Sequence, residues 1–136
     1  MQQLIDAIKA KFLDSTVYND VGGRVEYRKS TYTDYPRIIY SIITSSPDNV
    51  FARKGESVLV QVDIFSADSV GDDLMNTIYS DLRTLLDNWQ TTIAGYGKLE
   101  FTWQNTVSLS EDIEVGDGSI GVNHIAVDYE VTYQAT

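Results

Sequence analysis

His124 is the only histidine among 136 residues, and the chain has no cysteine. Any Ser-His-Asp arrangement would have to pass through that one ring, while disulfides and thiolate metal sites are excluded. His124 stands at the head of the alternating segment "HIAVDYEVTY", which places it as a strand-end or interface imidazole. Four acids, Glu111, Asp112, Glu114 and Asp117, crowd into "SEDIEVGDGS". A calcium loop of the EF-hand kind needs oxygen ligands at fixed alternate positions and a bidentate Glu at its end, and this spacing lacks them. The segment reads as a solvated, glycine-bearing acidic loop, with weak ion binding as its alternative use. Asp63 lies in the middle of a strand pattern, but general acid/base work needs a second group and no spacing supplies one. No HExxH or P-loop occurs, and the GxG of "GDGSIG" is not set between a strand and a helix. The expectation is a protein with no catalytic residues, no metal and no cofactor.

The elements that would carry these residues are better defined. Leu4, Ile5, Ile8, Phe12 and Leu13 make one helical stripe in "QQLIDAIKAKFL". Gly22-Gly23 breaks the chain before a short strand around Arg24–Arg28. Pro36 forces an extended start to the run Ile38–Thr44, which is apolar on both sides and reads as a strand covered on both faces. "GESVLVQVDIFS" alternates, with Val58, Val60, Val62 and Ile64 on one face and Leu59, Gln61, Asp63 and Phe65 on the other. A connection of about ten residues makes this strand and its predecessor an antiparallel hairpin. Asp68 or Ser69 caps a second helix, whose stripe of Leu74, Met75, Ile78, Leu82, Leu85 and Leu86 runs down to about Trp89. Residues 98–109 alternate again, with Leu99, Phe101, Trp103, Val107 and Leu109 on one side and Asn105 interrupting the row. The last strand alternates Ile125, Val127, Tyr129, Val131 and Tyr133. The expected fold is therefore α+β, a single antiparallel or mixed sheet of four to five strands with two helices packed on one face, forming one domain over residues 1–136.

Bulk properties narrow the class. A hydrophobic content of 43% supports one core, and no run approaches the roughly twenty apolar residues of a membrane helix. The formal net charge is −10, and it is uneven. Residues 1–54 hold eight Lys/Arg against six Asp/Glu, whereas residues 55–136 hold two against fourteen. Such a surface repels phosphate backbones, which argues against gripping DNA as a function. Two segments invite partners instead. The polar connection 46–55 contains Pro47, Asp48 and Asn49, an apolar tip of Val50 and Phe51, then Arg53 and Lys54, a combination suited to an acidic protein surface. Nine tyrosines, with Tyr27, Tyr32, Tyr35, Tyr40, Tyr129 and Tyr133 on or beside strands, tilt the chain towards association.

Across nearly its whole length the sequence resembles the tail-completion, or tail-terminator, proteins of long-tailed bacteriophages. The resemblance is carried by the "LIDAIKAKF" helix, by "YPRIIYSI", by "VLVQVDIFS" leading into "DDLMNTIYSDLRTLL", and by the closing "HIAVDYEVTY". It implies a non-enzymatic virion protein, assembled in the host cytoplasm, that forms a homo-oligomeric ring, usually a hexamer. Such a ring sits on the head-proximal end of the tail tube, contacts the tail tube protein, stops its polymerisation and offers a surface to the head-completion or connector protein. A head-closure or neck adaptor is the nearest alternative, and a cytosolic small-ligand module a more distant one. DNA would pass through such a ring without specific binding and with no membrane involved, which makes Glu111, Asp112, Glu114 and Asp117 candidates for the lumen and Pro47–Lys54 a candidate contact loop.

Overall fold

A computed structural model of the chain describes residues 2–29, 34–43, 57–67, 71–93, 97–115 and 118–133, with side chains for all of these except 71–72 and 110–120. The apolar stripe at the N-terminus becomes helix α1, Gln2–Phe12, which buries Leu4, Ile8 and Phe12. A short helix α2, Thr16–Asp20, follows at once because Ser15 caps it, its hydroxyl accepting from the Tyr18 amide at 3.2 Å while donating to the Phe12 carbonyl at 2.6 Å. Gly22 and Gly23 then turn the chain at φ of 61° and 79°. The positive φ at Gly23 favours glycine, and a Cβ there would crowd the Tyr18 hydroxyl at 3.1 Å.

Six strands follow around helix α3, Gly71–Leu86: β1 Val25–Tyr27, β2 Arg37–Ile43, β3 Ser57–Ala67, β4 Gln90–Ile93, β5 Gly97–Val115 and β6 Gly118–Tyr133. They form one sheet in the order β1-β2-β3-β6-β5-β4. All neighbours are antiparallel except β1 and β2, which run parallel over three residue pairs. The α+β class agrees with expectation, but the sheet has six strands where four to five were expected, and three helices stand where two were expected. Both additions are short. Strand β4 follows directly on the helix stripe that ends at about Trp89, where no strand was expected; its β-branched Thr91, Thr92 and Ile93 pair with the start of β5.

The core lies on one face of the sheet. Ile38, Tyr40 and Ile42 of β2, Val58, Val60, Val62 and Ile64 of β3, and Ile125, Val127, Tyr129 and Val131 of β6 join Leu4, Ile8, Phe12, Val17, Met75, Ile78, Leu82 and Leu86 from the three helices. Strand β2 is not covered on both faces as its composition suggests. Ile38, Tyr40 and Ile42 are buried, whereas Ile39 and Ser41 on the other side are half-buried and Ile43 is exposed. No helix among the described residues is long and apolar enough to cross a membrane.

Candidate assembly surface on the β5–β6 hairpin

The longest strands, β5 and β6, form a hairpin that outruns the sheet. On one side β3 pairs with β6 only as far as Ala67↔Val122, and on the other β4 pairs with β5 only through Gln90↔Glu100. Past those points residues 112–115 and 118–121 pair, among the described residues, only with one another, from Asp112↔Gly121 to Val115↔Gly118. The hairpin thus ends in a two-stranded arm, and beyond Glu100 no strand among the described residues covers the outer edge of β5. Edges of this kind offer a row of unpaired backbone groups to a second chain.

A β-bulge decides what the arm presents. Pairing passes from Trp103↔Tyr129 directly to Asn105↔Asp128, leaving Gln104 as the extra residue. Leu99 and Phe101 face the core, but past the bulge the face-sharing residues are Thr106 and Ser108, while Val107 and Leu109 pair with Ala126 and His124 on the opposite face. Val107 and Leu109 were expected on the same side as Leu99 and Phe101; the extra residue reverses them. They are 41% and 45% exposed, and Trp103 is 40% exposed.

Polar contacts fix the base of the hairpin to α3. The Trp103 indole Nε1 donates to the Thr106 hydroxyl at 2.9 Å, and that hydroxyl lies 2.9 Å from the Tyr79 hydroxyl. Arg83 donates through Nη1 to Tyr79 at 2.7 Å and through Nε to both carboxylate oxygens of Asp87, and its guanidinium covers the Trp103 ring at 4.3 Å. Tyr129 closes the chain by donating to Asp87 Oδ1 at 2.7 Å. Burial, followed by the Asp87 carboxylate, pushes the Tyr129 phenol well above its ordinary range. Hydrogen bonding to Asp87 holds the Arg83 proton more firmly than usual.

On the face away from the helices, His124 lies within β6, not at its start as expected. Its Nε2 is 2.7 Å from Asp63 Oδ1, and its ring stacks on Phe65 at 4.3 Å. Asp128 shares that face, since Asp63 pairs with Ala126 between His124 and Asp128. Burial first, then the nearby Asp63 charge, raises the Asp128 carboxyl above its ordinary range. The sequence does contain a second acid for Asp63, but 65 positions away; only the register of β3 on β6 brings the two together. An imidazole held by a carboxylate can relay a proton in principle. A cavity of about 400 Å³ on this face is lined by Ile43, Ser57, Leu59, Gln104, Asp128 and Glu130, and His124 is not in its wall. Among the described residues no group of three or more His, Asp or Glu side chains could hold a metal.

The other expected site residues fall as follows. Glu111, Asp112 and Glu114 are in strand β5, not in a loop: the alternation of "SEDIEV" completes a hairpin that the acidic composition disguises. Asp117 lies outside the described residues, as do Pro47, Asp48, Asn49, Val50, Phe51, Arg53 and Lys54 of the candidate contact loop. Of the tyrosines read as association residues, Tyr40 and Tyr129 are core residues, Tyr27 and Tyr133 pack partly against the core, and Tyr32 is outside the described set. Tyr40 stacks on Phe12 at 5.8 Å, a contact made possible by its register on the helix-facing side of β2.

No protein-family model and no curated protein matches the chain. A solved protein structure at 17% identity superposes on 100% of this chain and 99% of its own length with a TM-score of 0.56. At that identity the likeness shows a shared fold. The name it carries states no activity, ligand or partner.

Proposed function

We propose that the chain is a ring-forming structural protein of the tail-terminator type, which caps the head-proximal end of a phage tail tube and presents a joining surface to the head. The supporting observation is the hairpin β5–β6: an uncovered strand edge, a projecting two-stranded arm and the exposed apolar Trp103, Val107 and Leu109. A monomer that kept this edge in water would carry an aggregation liability, and closed assembly is one way proteins remove it. The resemblance of the sequence supplies the setting, and the formal net charge of −10 suits a channel that DNA must traverse without adhering.

Sedimentation velocity across a wide concentration range, with and without purified tail tube protein, tests the reading. A discrete ring-sized species, and shorter tubes when the protein is added during tube polymerisation, are expected. A monomer under all conditions ends the proposal. A ring that binds the head connector and ignores the tube moves the assignment to a neck adaptor.

A further inference from the structure

The two edges of the sheet differ in charge as well as in length. Residues 99–136, which contain most of β5 and all of β6, hold no Lys or Arg and seven acids. At the far edge, the end of β1 carries Arg28 and Lys29, both exposed, and among the described residues neither forms an ion pair. Between α1, α2 and β1 lies a groove of about 300 Å³, whose lining includes Lys9, Phe12, Leu13, Tyr18, Val25 and Glu26. Leu13 in its wall is 56% exposed, the most exposed large apolar side chain described. One edge therefore combines the exposed Leu13, in a groove that also holds Lys9 and Glu26, with the cations Arg28 and Lys29 at the end of β1. The other is an apolar, acidic arm with an uncovered backbone.

We propose that the acidic β5–β6 arm of one subunit docks on the β1 edge of the next copy, with Val107 and Leu109 entering the Leu13 groove and the acidic stretch of β5 running beside Arg28 and Lys29. The inference rests on the ring reading above and names its contact. Because the two surfaces are different patches at opposite ends of one sheet, the contact is heterologous. Repetition of it closes a ring or continues as a filament, and does not stop at a two-fold dimer. Complementary charge sets the register and suppresses the wrong pairing of arm with arm, since like charges brought together are costly. A specific contact of this kind takes roughly 800 Å² on each partner. It assigns Glu111, Asp112 and Glu114 to a neighbour and not to a lumen.

Charge exchange between full-length variants tests this. Arg28→Glu/Lys29→Glu and Glu111→Lys/Asp112→Lys/Glu114→Lys should each keep the wild-type circular dichroism and melting behaviour, yet shift the self-association midpoint to at least ~10-fold higher concentration. Mixed in equal amounts, the two variants should recover assembly, because each then meets an oppositely charged edge. For wild type, raising salt from 0.1 to 1 M shortens the screening length from roughly 10 to 3 Å and should weaken the ring without unfolding the chain. Either variant assembling alone as wild type does overturns the contact while leaving the ring reading intact, and for the arm variant that is the result a lumen role requires. Two variants that both fail and do not rescue each other also overturn it. A wild-type chain that never self-associates removes the ring reading itself.

Discussion

Leu99 and Phe101 at the base of strand β5 are completely buried, whereas Val107 and Leu109, farther along the same strand, are more than two-fifths exposed. Both pairs are large and apolar, both lie at odd positions, and both belong to one unbroken hairpin. What separates them is a single extra residue at Gln104 and the point at which β4 stops covering β5. At the base, Phe101 packs on Trp89 and Tyr129 with ring centroids 4.7 and 6.2 Å apart. Beyond the bulge the same alternation carries its apolar side away from the helices. Alternation thus specifies a strand; the neighbours decide whether its apolar face becomes core or contact surface.

The comparison is broken most severely at its base. Phe101→Ala removes a fully buried ring from between Trp89 and Tyr129 and should cost about 3–5 kcal/mol of folding stability. Leu109→Ser, a few residues on, should change stability by no more than about 0.5 kcal/mol and impair self-association instead. Urea denaturation of both variants, paired with sedimentation, measures the contrast. Equal losses of stability would show that the arm is part of the folding unit and not a surface held out for a partner.

This contrast also shows what could be read from the chain. The α+β class, the three strands ending at β3, the antiparallel β2–β3 hairpin and the long helix follow from local periodicity and from Gly22-Gly23 and Pro36. The bulge does not, because Phe101, Trp103, Val107 and Leu109 keep one phase in the sequence and nothing in "TWQNTVS" signals an added residue. The acidic stretch was obscured for a different reason. Glu111, Asp112 and Glu114 lack the β-branched bulk that marks a strand, yet an arm paired only with its own hairpin partner needs no buried face. The meeting of Asp63, His124 and Asp128 is a matter of register between strands sixty residues apart, which no local pattern contains.

A smaller effect sharpens the boundary between base and arm. The Tyr129 hydroxyl is buried and donates to Asp87, the last link of the chain from Trp103 through Thr106, Tyr79 and Arg83. Tyr129→Phe leaves the ring packing in place and should cost about 1–2 kcal/mol, because Asp87 keeps Arg83 and part of its hydration. Tyr79→Phe acts nearer the solvent end and should cost less than about 1 kcal/mol. The reverse order, read from chemical denaturation, would place the anchor of the hairpin at Thr106 and not at Asp87.

The smallest effect is a pH dependence at the bulge itself. Asp128 pairs with Asn105 immediately past Gln104, and its Oδ1 is buried with no hydrogen-bond partner among the described residues. Burial and the Asp63 charge raise its carboxyl above the ordinary aspartate range. The folded chain therefore keeps a proton at pH values where the unfolded chain, titrating near 4, has released it. Stability must then fall as pH rises from about 4 through the raised range of Asp128, because over that interval folding takes up a proton. Asp20 contributes with the same sign, since burial and the neighbouring Asp81 carboxyl push it up to about 6. It sits on α2, outside the hairpin. Asp128→Asn, whose amide is neutral throughout, should flatten the decline and gain on wild type at pH 7, and Asp20→Asn should remove a separate share of the slope below about pH 6. Asp73→Asn deletes the same charge from an exposed position on α3 and corrects for the general relief of negative repulsion. Urea midpoints at pH 4, 5, 6 and 7 for these three variants and wild type read the differences directly. If Asp128→Asn runs parallel to wild type once the Asp73 correction is made, the carboxyl at the bulge is solvated, and the passage from core to arm begins one strand earlier, at β6.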